Sequence, residues 1–306
     1  MMPTISELTQ LLEDNDLSIF NDYFKSVAAP CYSLEPKGEV MDDLPLGTSK
    51  VGGLPHLPDE LPWPTKGNRP LMFLAQINLE DIDLDHVPDN ALPKSGLLTF
   101  WGDTAALPWG FDPKDAGAYQ VLLISESLNS LSFRELPTFD PDGLENEPQY
   151  KWTPFNECQL QIKNDHCYDN DVDEAIESIF SEVTAEQADA LFHRFMDFEE
   201  EQLNLENETK HQLLGNPHEI QGDMRTECQL VSNGVYLGNQ PPESENAKID
   251  SLQPGAKDWR LLLQLDSDQD AADWMWGDCG KLYFWIKDQD LRAADFSSVW
   301  GILQCY

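Results

Sequence analysis

Basic residues are scarce in this chain of 306 residues. Lysine and arginine number 19 against 56 aspartates and glutamates, which gives a formal net charge of −37 at pH 7. Nucleic acids and anionic membranes are bound through clustered Lys and Arg, so we expect neither as a partner. An acidic surface favours a basic protein partner, and it also keeps a protein soluble in a salty cytoplasm. The composition leaves both interpretations open.

Long apolar runs and paired cysteines are also missing. No stretch reaches the ~18 consecutive apolar residues that span a bilayer. The first residues, MMPTISELTQLLEDND, lack the basic and apolar regions of a signal peptide. The cysteines form no C-x-x-C pair and are scattered, at Cys31, Cys158, Cys167, Cys228, Cys279 and Cys305. We therefore expect a cytoplasmic protein with free thiols.

The short motifs of common enzyme classes do not occur. The chain has no G-x-S-x-G, no cysteine-protease signature, no phosphate-binding glycine loop and no dinucleotide fingerprint. His166 and Cys167 are adjacent, which in a strand places them on opposite faces, and with Cys158 they have an irregular spacing for zinc. We assign no catalytic residue, no metal ligand and no cofactor.

Helical patterns are present in two regions. In the N-terminal segment Thr4 and Glu7 fit a capping box, and apolar residues follow at helical spacing through two short helices. Residues 171–207 predict a central pair of helices, with Thr184 and Gln187 capping the second. Residues 30–70 are rich in proline and glycine, which predicts a turn-rich loop packed on the body of the protein.

Strand patterns dominate the rest of the chain, and they repeat. Apolar or alternating runs predict strands at residues 71–79, 96–101, 119–125 and 130–136. FLAQINLED (73–81) aligns with LLQLDSDQ, which places Gln76 opposite Gln264. GLLTFW aligns with GKLYFW (280–285), and GGLPH (52–56) with LGNPH (214–218).

We therefore predict an α+β fold in which a duplicated β-rich unit forms two similar lobes. One domain spans residues 1–306. Its parts are an N-terminal helical segment (1–48), a first β-rich half (49–165), a central helical connection (166–210) and a second β-rich half (211–306).

Each repeated strand has an apolar face and a face that becomes polar towards the end. Side chains alternate in a strand, so the first face carries Leu261, Leu263 and Leu265 in one copy and Phe73, Ala75 and Ile77 in the other. The second face carries the polar residues Gln76, Asn78, Gln264, Asp266 and Asp268. These strand ends either line a cleft between the lobes or are ordinary exits into solvent.

The aspartates after the second strand suggest a cation site. Asp266, Asp268 and Asp270 have the D-x-D-x-D spacing that opens an EF-hand loop. The turn glycine is replaced by Ala271 and the bidentate glutamate by Gly277, which excludes an EF-hand. An irregular metal site that draws on Asp266, Asp268, Asp273 or Asp278 remains open, and with it a metal-dependent hydrolase.

Tryptophan is concentrated near the C-terminus. Trp285 and Trp300 fall inside predicted strands and are expected in the core. Trp274 and Trp276 lie in the loop DWMWGD beside the aspartates, and Trp63 lies in the proline-rich loop. Because aromatic residues dominate binding hot spots, we expect these three on a binding surface.

The motifs together resemble those of the YwqG family of bacterial proteins, whose domain has no assigned function. The resemblance rests on SKVGGLPHLP (49–58), LAQINLED, LPKSGLLTFW, HQLLGNPHEIQGD (211–223), LLLQLDSD, MWGDCGKLYFWIKDQDL and FSSVWGILQCY. It implies an α+β fold of a duplicated unit and a distant kinship with programmed-cell-death-2-type proteins, which are chaperones that bind a new ribosomal protein. It also implies that the protein acts by binding a partner in toxin-response or immunity settings. The family has no established catalytic residues, so the resemblance assigns none here.

We therefore expect a non-enzymatic protein-binding module, and the net charge favours a basic protein as its partner. Its candidate cleft comprises Gln76, Asn78, Gln264, Asp266, Asp268, Trp274, Trp276, Asp278 and Trp63. The alternative is a metal-dependent hydrolase that uses the aspartate cluster near residues 266–278.

Overall fold

The computed structural model describes residues 3–37, 44–140, 152–168, 183–198, 201 and 211–306. Within these ranges the fold is mixed α/β, with six α-helices and a large antiparallel sheet. The helices are α1 Ile5–Asp14, α2 Asn21–Val27, α3 Ala185–Phe198, α4 Met224–Val231, α5 Asn246–Leu252 and α6 Asp288–Arg292. The strands are β1 Ala29–Pro36, β2 Lys50–Val51, β3 His56–Pro58, β4 Thr65–Lys66, β5 Arg69–Pro70, β6 Met72–Asn78, β7 Leu97–Gly102, β8 Tyr119–Ile124, β9 Leu131–Phe133, β10 Cys158–Cys167, β11 Gln212–Leu213, β12 Trp259–Asp266, β13 Lys281–Lys287 and β14 Trp300–Gln304.

The N-terminal helices pack against α3 in a separate apolar cluster. The capping box of Thr4 and Glu7 opens α1 as predicted, and Leu8 and Leu12 form its buried stripe. Phe20 packs against Phe195 of α3, with ring centroids 4.7 Å apart. Residues 169–182, which include most of the first helix predicted for the central connection, lie outside the described residues.

One ten-stranded sheet contains strands from both predicted halves. Its order is β14-β13-β12-β11-β1-β10-β2-β6-β7-β8. The sheet curls until its two edge strands, β8 and β14, lie against each other. The loop between β7 and β8 completes the approach, since the amide of Leu303 donates to the carbonyl of Trp109 at 3.0 Å. The sheet is therefore nearly closed.

The centre of the sheet is the part that the sequence did not predict. β1 lies inside the segment expected to be a turn-rich loop, and it pairs along its whole length with β10, from Ala29↔Cys167 to Pro36↔Leu160. Its prolines, Pro30 and Pro36, fall near its two ends, where they interrupt the hydrogen-bond ladder least. Cys158 and Cys167 begin and end β10, so the strand holds these two possible zinc ligands apart.

Two β-bulges change which side chains share a face. The register shifts between Phe73 and Ala75 in β6, and between Leu261 and Leu263 in β12. A bulge sets two residues of one strand opposite one of the other, so the alternation restarts. The predicted common face of Leu261 and Leu263 is therefore wrong: Leu263 joins the inner core, whereas Leu261 packs under α4.

The inner core lies inside the curled sheet and unites its two ends. Phe100 of β7 and Phe284 of β13 meet there edge to face, with centroids 5.3 Å apart. Two smaller clusters cover the outer side: α4 packs on β12, β13 and β14, and the short strand β3, through Leu57, packs on β6 and β7. None of the helices in the described ranges has the length and apolar character needed to cross a membrane.

Candidate functional site

Gln76 and Gln264 are completely buried and hold two loops. The Oε1 atom of Gln76 accepts the backbone N–H of His56 at 3.1 Å, and its Nε2 donates to the carbonyl of Thr48 at 2.8 Å. Oε1 of Gln264 accepts the backbone N–H of His218 at 2.8 Å. In both strands the glutamine therefore satisfies the backbone of the loop that carries the proline–histidine pair.

Asn78 and Asp266 occupy the ends of β6 and β12 and are buried. The amide of Asn78 donates to Oγ of Ser49 at 2.9 Å, whereas the amide of Asp266 donates to Nδ1 of His211 at 3.0 Å. The carboxylate of Asp266 also lies 3.3 Å from the ammonium group of Lys281, and both side chains are only 8% exposed. The carboxylate is thus neutralised by its neighbour on β13.

His211 is the residue of this region that sequence reasoning missed. Because its Nδ1 accepts the amide of Asp266, its proton lies on Nε2, which donates to Oδ2 of Asp268 at 3.3 Å. Burial raises the pKa of Asp268, but the hydrogen bonds from His211 and from the amide of Ala271 outweigh it, so that the pKa lies below the usual 3.8. His211 directly precedes the dipeptide that forms β11, and only this position in the fold reveals its role.

This His–Asp pair is not arranged for nucleophilic catalysis. Cys158 is the nearby thiol, and its pKa is raised, first by burial and then by the charge of Asp268. A thiol with a raised pKa stays protonated and unreactive. Both ring nitrogens of His211 are already engaged, so this imidazole has no lone pair for the proton of Cys158.

The carboxylates of Asp266 and Asp268 are already engaged within the fold, which disfavours a bound cation. Asp266 faces Lys281, and Asp268 bonds His211 and the amide of Ala271. Across the described residues, no three His, Cys, Asp or Glu side chains are grouped so that they could hold a metal ion.

Trp274 and Trp276 point inwards, and in this structure they are core residues. Their side chains are 1% and 0% exposed, and their rings lie 5.0 Å apart. The indole of Trp274 donates to the carbonyl of Asp266 at 2.8 Å, and Phe155 packs edge to face on both rings. Isolated bridges Asp268↔Trp274 and Trp276↔Gly280 fold this loop back onto the sheet.

The other predicted site residues are separated from this group. Trp63 is half-buried against Trp101 at the outer cluster of β6 and β7, with its indole bonded to the carbonyl of Leu71 at 2.9 Å. Asp278 is exposed. In the sheet order β2, β10, β1 and β11 stand between β6 and β12, so Gln76 and Asn78 belong to one end of the sheet and Gln264, Asp266 and Asp268 to the other.

Comparison with known proteins gives a family without an assigned activity. A search of the curated proteins found no match to the chain. The family model described as "Domain of unknown function (DUF1963)" matches residues 49–305, from the segment before β2 to the end of β14. Because this match covers far more than half of the chain, the protein belongs to the DUF1963 family.

Proposed function

We propose that this protein is a non-enzymatic binding module whose partner is a basic protein. The proposal rests on where the acidic groups lie and what they contact. The buried aspartates of the predicted site, Asp266 and Asp268, are neutralised or bonded within the fold, whereas most of the net charge of −37 is left to the surface. A one-signed surface of this kind accelerates encounter with a partner of opposite charge.

The wider relationships belong to the same proposal. The motifs around Gly52, Gln76, Gly96 and Gln264 support membership of the YwqG group and a distant kinship with programmed-cell-death-2-type chaperones. The six cysteines are free thiols, which supports a role in the reducing cytoplasm.

We also propose that the two ends of the sheet descend from a duplicated unit. The paired hydrogen bonds of Gln76 and Gln264 support this, as do the bulges at the same place in β6 and β12. A further match supports it: the amide of Gly52 donates to Leu74 at 2.8 Å, and the amide of Leu214 donates to Leu262 at 3.1 Å. The two units would share one inner core.

Calorimetric titration with two synthetic peptides tests the function. One peptide alternates arginine and serine, and the other alternates glutamate and serine. We expect saturable binding of the arginine peptide, weakened by salt, and none of the glutamate peptide. Failure of the arginine peptide to bind at low salt would exclude a basic partner segment of this kind.

Metal analysis of the purified protein tests the competing hypothesis. The contacts of Asp266 and Asp268 lead us to expect no stoichiometric divalent ion near residues 266–278. A stoichiometric ion that is lost in Asp268→Asn would favour the metal-dependent hydrolase and count against the binding module.

A further inference from the structure

Three aromatic side chains lie on two neighbouring loops beside the closing edge of the sheet. Trp109 is 40% exposed and Tyr236 is 43% exposed. Phe111, two residues after Trp109, contacts Tyr236 edge to face with centroids 6.2 Å apart. We call Trp109, Phe111 and Tyr236 the aromatic surface. Neighbouring exposed aromatic rings are typical of binding hot spots.

The backbone under these rings is held rigidly. Four consecutive carbonyls of the loop accept hydrogen bonds from three different parts of the fold. They are Pro108 from the hydroxyl of Tyr119 (2.7 Å), Trp109 from the amide of Leu303 (3.0 Å), Gly110 from the indole of Trp300 (2.9 Å) and Phe111 from the amide of Leu237 (3.0 Å). A surface fixed in this way loses little conformational entropy when it binds.

Gly110 shows how closely the loop is packed. Its φ is +97°, and a Cβ at this position would lie 2.4 Å from the carbonyl oxygen of Gly301. The loop therefore packs directly against β14, which leaves no space for it to move further into the protein. Gly238 plays a similar part for Tyr236, because a Cβ there would meet both the tyrosine ring and Phe111.

The charges around the aromatic surface favour a cationic occupant. Asp112 and Asp115 follow Phe111 in the same loop, where their carboxylates accept backbone amides and keep their charge close to the rings. Glu243 and Glu245 follow Tyr236 by seven and nine residues. Two lysines lie in the same segments. Lys114 is exposed, and Lys248 is 3.9 Å from Glu245 and donates to the carbonyl of Gly234 at 3.2 Å. Acidic residues outnumber them, in keeping with the chain as a whole.

We infer that the aromatic surface is the docking site for an extended, arginine-rich segment of the partner protein. Guanidinium groups stack on aromatic faces and bind carboxylates through two parallel hydrogen bonds, so arginine uses both features of this surface. The ammonium group of lysine is also attracted to an aromatic face, but it cannot stack flat on a ring or bind a carboxylate through two parallel hydrogen bonds. The inference rests on the proposed function, and it names the surface through which that function operates.

The test repeats the titration with the alternating arginine–serine peptide on variants. The double variant Trp109→Ala/Tyr236→Ala removes the two exposed rings, and Phe192→Ala removes a ring of equal exposure (40%) on α3. We expect the double variant to bind about tenfold more weakly or worse, as for loss of hot-spot aromatics, and Phe192→Ala to bind like wild type. Trp109→Phe/Tyr236→Phe, which keeps both rings, should recover most of the affinity.

A charge-matched pair covers the case in which the alanine variant does not fold. Glu243→Lys and Glu13→Lys change the net charge equally, and both positions are exposed. We expect Glu243→Lys to weaken binding several-fold more than Glu13→Lys. Equal weakening by the two would mean that the peptide responds only to the overall charge. The aromatic surface would then not be the docking site, while the proposed function would stand. A wild-type protein that does not bind the peptide at all overturns both.

Discussion

At the scale of single residues, the polar positions singled out by the sequence hold separate segments of the chain together through hydrogen bonds. Gln76 and Gln264 are conspicuous because each interrupts an apolar strand. The interruption is explained by the backbone N–H that each accepts, from His56 or from the half-buried His218. A buried backbone donor without a partner costs about 1–3 kcal/mol, so a glutamine at this place stabilises the fold although it is polar.

Replacing either glutamine by leucine should destabilise the protein by a similar amount. Gln76→Leu and Gln264→Leu keep the side-chain size but remove the acceptor, and we expect each to lower the free energy of unfolding by about 1–3 kcal/mol. Gln289→Leu, on the exposed side of α6, should change it little. Urea denaturation measures all three, and stabilities equal to wild type for the first two would contradict the assigned bonds.

His56 makes stability depend on pH. Burial, and secondly the charge of Lys50, lower the pKa of His56 from 6.5 to about 3. The folded protein therefore keeps this ring neutral while the unfolded chain protonates it, and stability falls as the pH falls from 6.5 towards 3.

The variant His56→Gln should lose this dependence. One group titrating in this way contributes a slope of about 1.4 kcal/mol per pH unit within its window. In urea denaturation just below pH 6.5, the slope for His56→Gln should therefore be smaller than for wild type. Burial raises the pKa of Glu227 to about 7, but this group titrates alike in both proteins and does not affect the difference. Identical slopes would show that folding does not lower the pKa of His56.

At the scale of elements, strands with plain apolar runs could be predicted, whereas strands and faces defined by distant partners could not. The runs that became β6, β7, β8 and β12 were clear in the sequence. β1 contains two prolines and mixed polarity, and it is a strand because β10 and β11 pair with it on either side. Nothing in the local sequence indicates the bulge after Leu261, so the predicted faces of β12 combined inward-facing and outward-facing side chains.

The candidate site was predicted in part for the same reason. Asp266, Asp268, Trp274 and Trp276 do come together, as their closeness in sequence suggested. Their burial and the participation of His211 depend on loop 268–280 folding back over β11 and β12, which is a tertiary contact. A loop between two strands ordinarily exposes its large side chains, whereas this one buries both of its tryptophans.

The tight turn after β2 gives a prediction with a matched control. Gly52 and Gly67 both have φ +61°, so alanine suffers the same left-handed backbone strain at either position, about 1–2 kcal/mol. A Cβ at Gly52 would also lie 2.0 Å from the backbone oxygen of Asn156, whereas Gly67 has nothing within 4 Å. We expect Gly52→Ala to destabilise by clearly more than Gly67→Ala in urea denaturation. Equal losses would mean that the turn and Asn156 are not in contact.

At the scale of the whole molecule, the excess of acidic residues shapes both stability and function. Like charges at a net −37 repel one another in the compact state, and dissolved salt screens them. The curled sheet balances this with an inner core that unites both ends, through pairs such as Phe100 and Phe284.

Added salt should therefore stabilise the protein. In urea denaturation we expect the free energy of unfolding to rise with NaCl and to level off near 1 M, where the screening length is about 3 Å. A steady fall with salt would mean that attractive ion pairs, such as that of Arg292 with Asp89, outweigh the repulsion.

Binding of a basic partner through one defined surface is the central claim, and photo-crosslinking tests it most directly. An arginine–serine peptide that carries a photoreactive group would be bound to the wild-type protein, irradiated, and its attachment points read by mass spectrometry. We predict attachment within residues 106–116 and 235–245, around Trp109, Phe111 and Tyr236. Attachment spread evenly over the acidic surface, or concentrated at the ends of β6 and β12, would contradict it.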